Sequence, residues 1–173
     1  MHHQFNTQRL NVIEANTSLE TLNLPAIYPS IMQILSPDVV ANLPPYFGHI
    51  DTIDEARNWF NRMLEESKLF LVYQADNEQL IGFSFVYLED AQTKCKQAHL
   101  GYLLAQECWG KGIATELLTA LLDYCKQKQF ADTLIAGVDS SNLSSISLLK
   151  KLGFQQTQNK EINELFFHYE LKG

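Results

Sequence analysis

The stretch CWGKGIATELLTALLDYC, residues 108–125, decides the fold because it joins a glycine-bearing turn to an amphipathic segment. It follows the apolar run HLGYLL, which begins at His99 and has the composition of a β-strand. Ile113, Leu117 and Leu121 recur at helical spacing, which predicts a helix that packs on a sheet. The stretch therefore predicts a strand, a tight turn and a helix in succession.

The turn at Gly110, Lys111 and Gly112 has the properties of an anion-binding site. The first N–H groups of a helix lack intrahelical acceptors, and the helix dipole favours negative charge beside them. Glycine lets the backbone approach a phosphate without an intervening Cβ. The spacing is not that of a Walker A loop, and Thr115 stands where the dinucleotide pattern G-x-G-x-x-G requires a third glycine. Taken alone, the glycine pair also fits a loop that merely turns.

Strands and helices are mixed along the rest of the chain, which predicts an α/β fold. Thr52 and Glu55 have capping-box spacing at the start of one helix, and Gly153 is the predicted C-cap of another. The five prolines all fall within residues 25–45, which predicts short helices, turns and a substrate-facing segment. Further strands are predicted for RLNVIEA (9–15), DTLIAGVD (132–139) and ELFFHYEL (164–171), and LFLVYQADNEQLIGFSFVYLED (69–90) is predicted to form two strands around a turn at Asp76–Asn77.

The composition describes one globular domain, which we expect to span residues 1–173. The chain is 46% hydrophobic, enough for a sizeable core. Its net charge of −7 with only 13 Lys and Arg argues against nucleic-acid binding, because that binding depends on clustered cations. Cys95, Cys108 and Cys125 form no C-x-x-C pair, so neither a disulfide framework nor a metal site is predicted. The absence of a secretory or membrane-length apolar run predicts a cytoplasmic protein, and His2 and His3 are assigned no chemistry.

Four segments, in this order, resemble the GNAT N-acetyltransferases, and among them the RimJ/RimL-like branch that acetylates ribosomal proteins. They are TQRL (7–10), GY (101–102), WGKGIATE (109–116) and NLSSISLLKKLGF (142–154). Trp109 stands where the superfamily usually has Arg or Gln, a variant typical of that branch. The resemblance implies a mixed, mostly antiparallel sheet, flanked by helices and splayed between its fourth and fifth strands. We expect those strands to be LIGFSFVYLE and AHLGYLLA.

The resemblance also implies acetyl transfer from acetyl-CoA to a primary amine in a ternary complex. Main-chain groups at Leu103 and Leu104 are predicted to align the pantetheine arm and polarise the thioester carbonyl. Asn142 is assigned to the pantetheine and Ser145 to the leaving sulfur; alternatively, Asn142 only caps its helix and Ser145 has no role in the first turn of that helix. The residues expected to hold the diphosphate are Trp109, Gly110, Lys111, Gly112, Ile113, Ala114 and Thr115.

The acceptor amine must arrive neutral, which favours a weakly basic amine. An α-amine with a pKa near ~8 costs about 1.4 kcal/mol to deprotonate at pH 7, and a lysine at ~10.4 costs about 4.6 kcal/mol. A peptide or protein N terminus is therefore the predicted acceptor. Small amines (polyamine, amino sugar or amino acid) and a non-catalytic acyl-CoA-binding module are the alternatives, and the chain is expected to be a monomer or a homodimer.

His99 is a candidate general base, because it stands where related chains often carry glutamate and imidazole titrates near neutral pH. Glu89 and Asp90, at the end of the preceding strand, are rivals for the same role or for attraction of the cationic amine. The alternative for His99 is an exposed polar residue on an alternating strand.

Overall fold

The computed structural model describes residues 4–89, 95–161 and 163–172, so Asp90 lies outside the described residues. The helices within this part of the chain are α1 (Ala15–Ser18), α2 (Leu24–Ile34), α3 (Pro37–Val40), α4 (Ile53–Glu66), α5 (Ile113–Lys128) and α6 (Leu143–Lys151). The strands are β1 (Phe5–Asn6), β2 (Leu10–Glu14), β3 (Lys68–Gln74), β4 (Leu80–Leu88), β5 (Gln97–Leu104), β6 (Thr133–Asp139), β7 (Gln155–Glu161) and β8 (Glu164–Glu170). Among the described residues, no helix has both the length and the apolarity of a membrane span.

The strands form one mixed sheet in the order β1-β2-β3-β4-β5-β6-β8-β7. The pairs β1–β2, β2–β3, β6–β8 and β7–β8 are antiparallel, whereas β5 and β6 are parallel. A parallel pair needs a crossover between its strands, and α5 supplies it. The predicted mixed, mostly antiparallel sheet is confirmed.

The prediction of which two strands part was wrong. β4 and β5 are hydrogen-bonded neighbours, and Glu89 N–H donates to Gln97 O at one end of the pair while Ala105 N–H donates to Ile81 O at the other. By contrast, β5 and β6 pair only through residues 97–99 and 133–135, although both strands continue beyond this ladder. The ladder that stops part-way is thus the parallel one, between β5 and β6.

The chain forms two compact units. Unit 1 consists of Met1–Phe85 and Tyr102–Ile113, and unit 2 of Val86–Gly101 and Ala114–Gly173. The core of unit 1 is aromatic: the Trp59 ring on α4 lies edge-on to Phe83, with centroids 5.1 Å apart. The predicted capping box is confirmed at the start of α4, because Thr52 and Glu55 each bond the other's backbone N–H.

Unit 2 is built on the long antiparallel pair of β6 and β8, from Thr133↔Glu170 to Asp139↔Glu164. Leu134 and Phe167 are fully buried in its core. Gly153 has φ +94°, which confirms the predicted C-cap after α6. β7 was not predicted, because its sequence QQTQNKE lacks apolar alternation and it forms by pairing with β8.

Candidate active site

The turn between β5 and α5 has a backbone of alternating hand. Gly110 has φ +69° and Gly112 has φ +74°, while Lys111 between them has a negative φ. Such alternation aims successive N–H groups toward one side and forms an anion-binding concavity. In the described part of the chain, the N–H groups of residues 110–112 are bonded to no acceptor. The adjoining N-terminus of α5, at Ile113, adds its dipole to this concavity.

Side chains from distant parts of unit 1 hold this turn in place. Arg9 Nη1 donates to the Lys111 carbonyl at 2.9 Å, across 102 positions of sequence. Gln106, just before the turn, donates through Nε2 to Asp38 Oδ2 on α3 at 2.9 Å. Arg9, Gln106 and Asp38 were not predicted as site residues. Arg9 is part of the TQRL motif, but no role was predicted for it.

Trp109 connects the turn to the end of β5. Its indole Nε1–H donates to the Leu104 carbonyl at 3.0 Å. One lone pair of this carbonyl, a group that was predicted to align the pantetheine arm, is therefore already hydrogen-bonded. Leu103 and Leu104 are both buried. Gly82 on β4 was not predicted as a site residue. It allows the end of β5 to lie close to β4, since a Cβ at Gly82 would be 2.4 Å from Leu103 O. Its signal is a glycine inside an apolar strand.

In unit 2, Asn142 is the N-cap of α6. Its Oδ1 accepts the Ser145 N–H at 3.2 Å and the Ser144 hydroxyl at 3.0 Å. Asp139, the last residue of β6, accepts hydrogen bonds from the Ser141 hydroxyl and N–H, which lower the pKa of its carboxyl. Asn142 therefore caps its helix, and the roles of Asn142 and Ser145 toward acetyl-CoA stay predictions.

The two rival bases of the sequence form one pair in unit 2. His99 Nε2 lies 2.5 Å from Glu89 Oε1, and the two side chains are 40% and 44% exposed. His99 is opposite Ile135 of β6, and Ile135 is opposite His168 of β8, so both histidines lie on one sheet face. Because both side chains are exposed, an acceptor amine could reach the pair.

A second carboxylate lies on this same face. Gly137, two residues after Ile135, is exposed, and a Cβ there would be 2.4 Å from Glu164 Oε1. The missing side chain lets Glu164 lie across β6. Carboxylates on one face attract a cationic amine. Glu164 was missed because a glutamate at the end of a strand gives no distinctive sequence signal.

The predicted site residues thus fall into two sets. Unit 1 contains Leu103, Leu104, Trp109, Gly110, Lys111, Gly112 and Ile113, and unit 2 contains Glu89, His99, Ala114, Thr115, Asn142 and Ser145. Thr115 lies in the first turn of α5, where its carbonyl accepts the Thr119 hydroxyl at 2.7 Å. Within the described ranges, no cluster of three or more His, Cys, Asp or Glu is placed to hold a metal ion.

Comparison with known families agrees with the motifs. Residues 19–155 match the model described as the acetyltransferase (GNAT) domain. The chain therefore belongs to the GNAT acetyltransferase family. The predicted family is confirmed, and with it N-acetyltransferase as the class and acetyl-CoA as the acyl donor of that class.

Individual curated relatives are also named as N-acetyltransferases. The chain is 30% identical over 91 residues to the uncharacterized N-acetyltransferase p20 of Bacillus licheniformis, covering 53% of this chain and 50% of the relative. It is 29% identical over 87 residues to the [ribosomal protein uS5]-alanine N-acetyltransferase of Escherichia coli (strain K12), covering 50% and 44%. The chain thus matches about half the length of these curated relatives.

A solved structure confirms the fold. RimL, a ribosomal L7/L12 α-N-protein acetyltransferase in complex with coenzyme A, superimposes with a TM-score of 0.77 over 98% of each chain, at 14% identity. At this identity the likeness concerns the fold alone.

Proposed function

We propose that this chain is an acetyl-CoA-dependent N-acetyltransferase that acts on the α-amine of a peptide or protein N terminus. The observation that carries the proposal is the turn at residues 110–112. Its N–H groups lie next to the start of α5 and are bonded to no acceptor among the described residues, and glycine occupies both positions of positive φ. This geometry suits the diphosphate of acetyl-CoA, and the chain's family uses that donor.

The proposed reaction is a direct transfer. The amine nitrogen attacks the thioester carbonyl carbon, so that a C–N bond forms and the C–S bond breaks. The amine proton passes to His99, which Glu89 orients, and a hydrogen bond from the Ser145 hydroxyl stabilises the leaving thiolate until it is protonated. The products are an N-acetyl amine and coenzyme A.

The acceptor class rests on deprotonation cost and on the relatives. At neutral pH an α-amine is easier to deprotonate than a lysine by ~3 kcal/mol, so a weak base such as the partly exposed His99 suffices for an α-amine. One curated relative is named as an alanine N-acetyltransferase of ribosomal protein uS5. Glu89 and Glu164 on the face of His99 favour a cationic acceptor over a neutral or anionic one.

The test is turnover of acetyl-CoA by the purified chain with a matched acceptor panel. One peptide has a free N terminus and an acetylated lysine, and its twin has a blocked N terminus and a free lysine; spermidine, glucosamine and free alanine complete the panel. We expect thiol release and a mass gain of one acetyl group only with the peptide whose N terminus is free. Faster modification of lysine or of a small amine would contradict the acceptor class, and CoA binding without turnover would indicate a binding module.

Ser145→Ala tests the proposed role of the hydroxyl. A hydrogen bond that strengthens as charge develops on sulfur lowers the barrier more than it aids binding, so we expect kcat to fall ~10-fold or more with little change in the KM for acetyl-CoA. Ser147→Ala, an exposed serine of the same helix, is the matched control. Equal turnover of the two variants would assign Ser145 to the helix alone.

A further inference from the structure

Arg9 occupies a backbone position that several hydrogen bonds define. Thr7 N–H donates to the Leu10 carbonyl at 2.9 Å, and Leu10 N–H donates to the Thr7 hydroxyl at 3.0 Å, which closes a tight turn between β1 and β2. Ala75 N–H, at the end of β3, donates to the Arg9 carbonyl at 2.9 Å. The TQRL motif therefore builds a rigid hairpin tip with Arg9 on it.

The Arg9 guanidinium spans the Lys111–Gly112 peptide. Nη1 donates to the Lys111 carbonyl at 2.9 Å, while Nη2 lies 3.6 Å from where a Cβ of Gly112 would be. In a trans peptide the C=O and the next N–H point in opposite directions. A carbonyl fixed toward Arg9 therefore fixes the Gly112 N–H away from it.

We propose that Arg9 is a positioning residue for the phosphate loop: by holding the Lys111 carbonyl, it turns the loop N–H groups toward the diphosphate of the acyl-CoA donor. The inference rests on the proposed function, in which residues 110–112 bind that diphosphate. Positive φ at Gly110 and Gly112 makes the turn possible but does not select it, since glycine adopts either hand with similar ease. The charged hydrogen bond from Arg9 selects this conformer and polarises the peptide whose N–H faces the ligand.

The charge of Arg9 acts in the same direction. CoA is a polyanion and the chain carries a net charge of −7, so a cation beside the loop offsets an unfavourable overall field. Lysine at this position would retain the charge but not the planar fork. Positioning and charge can therefore be separated by substitution.

The experiment measures dissociation constants by calorimetry for three ligands on Arg9→Met, Arg9→Lys and wild type. CoA carries the diphosphate and the 3′-phosphate, 3′-dephospho-CoA carries the diphosphate alone, and pantetheine carries no phosphate. We expect Arg9→Met to weaken CoA and 3′-dephospho-CoA equally, by about 10- to 100-fold, and to leave pantetheine within about twofold. Arg9→Lys should recover part of the loss.

Lys128→Met is the matched control, because it removes one exposed positive charge at the other end of α5. Unchanged CoA affinity in Arg9→Met would overturn the inference, as would a loss confined to CoA, which would assign Arg9 to the 3′-phosphate. If Arg9→Met does not fold, Arg9→Lys is the deciding variant. We expect it to lose about threefold or more in affinity for both diphosphate ligands, and wild-type affinity would contradict the inference. A wild-type chain that binds no CoA would instead refute the proposed function.

Discussion

The contact between His99 and Glu89 gives each side chain a different task in the proposed reaction. With Nε2 bonded to Glu89, Nδ1 is the ring nitrogen left to take the amine proton. A carboxylate in this position orients the ring and stabilises the imidazolium that forms, as it does in other histidine–carboxylate pairs. His99 is thus the candidate base and Glu89 a positioning residue.

We expect His99→Gln to lower kcat/KM for a peptide α-amine by about 100-fold, because a general base typically contributes a factor of this size. The group that His99 adds to the pH profile should disappear after correction for ionisation of the amine. Glu89→Gln should cost ~10-fold, since the base remains but loses its orientation.

His168→Gln provides the control for these two variants, because His168 lies on the same sheet face one strand beyond Ile135. Peptide acetylation rates between pH 6 and 9 decide the matter. An unaltered profile in His99→Gln would leave His99 as an exposed polar residue of β5.

At the scale of elements, an ion pair with a buried carboxylate and a half-buried lysine joins β2 to β3. Glu14, the last residue of β2, is only 3% exposed, and Lys68, the first residue of β3, donates to its Oε1 at 3.0 Å. Asn16 reinforces the junction by donating to the Ser67 carbonyl at 3.0 Å and accepting the Leu69 N–H at 2.8 Å. The two strands are thus connected where α4 ends.

Removal of Lys68 should destabilise the fold strongly. We expect Lys68→Met to lower the free energy of unfolding by about 3 kcal/mol, because Glu14 would keep a buried charge without its lysine partner. The double variant Glu14→Gln/Lys68→Met should regain most of this loss, since the charge is gone with its partner. Urea unfolding measures both effects, and a single variant no less stable than the double variant would contradict the account.

At the scale of the whole molecule, carboxylates in both units make stability depend on pH. The Lys172 ammonium and the Lys96 N–H lower the pKa of the Asp132 carboxyl, and Asp132 in turn raises the pKa of Lys172. Hydrogen bonds from the Asp51 N–H, the Thr52 hydroxyl and the Thr52 N–H lower the pKa of Glu55.

A lowered folded-state pKa contributes stability that is complete above the unfolded value, ~3.9 for Asp and ~4.3 for Glu, and is lost as the pH falls through the folded value. The raised pKa of Lys172 contributes stability that is lost only at alkaline pH, as the pH rises toward and through the folded-state value.

We therefore expect the Tm to be nearly constant from about pH 5 to 8 and to fall below about pH 4. Below its isoelectric point of about 5.1 the chain carries a net positive charge, so general charge repulsion also lowers the Tm in acid, and variants of single carboxylates separate the local bonds from it. Asp132→Asn and Asp139→Asn should each make the acid decline shallower, and Asp76→Asn in the β3–β4 turn serves as the control. Scanning calorimetry at several pH values measures this, and three parallel curves would refute it.

Local signals in the sequence predicted most of the elements. The capping box at Thr52 and Glu55 and the glycine after α6 act within one turn of chain, so they work in the same way in any surroundings. The apolar runs predicted β2 to β6 and β8, because strands that are buried on both faces, such as β4, are continuous apolar segments in the sequence. β7 was not predicted because its sequence is polar, and it forms through pairing with β8 rather than through a pattern in its own side chains.

The sequence by itself determined the family, the glycine turn and the residue types that acyl transfer needs, because these depend on chemistry and spacing along the chain. The tertiary structure alone decided which side chains meet. It paired His99 with Glu89, brought Arg9 to Lys111 across 102 positions and tied Trp109 to Leu104. It also ended the parallel ladder of β5 and β6, not that of β4 and β5. Long-range contacts of this kind follow from strand order and register, which the packing of the whole chain selects and which no local pattern specifies.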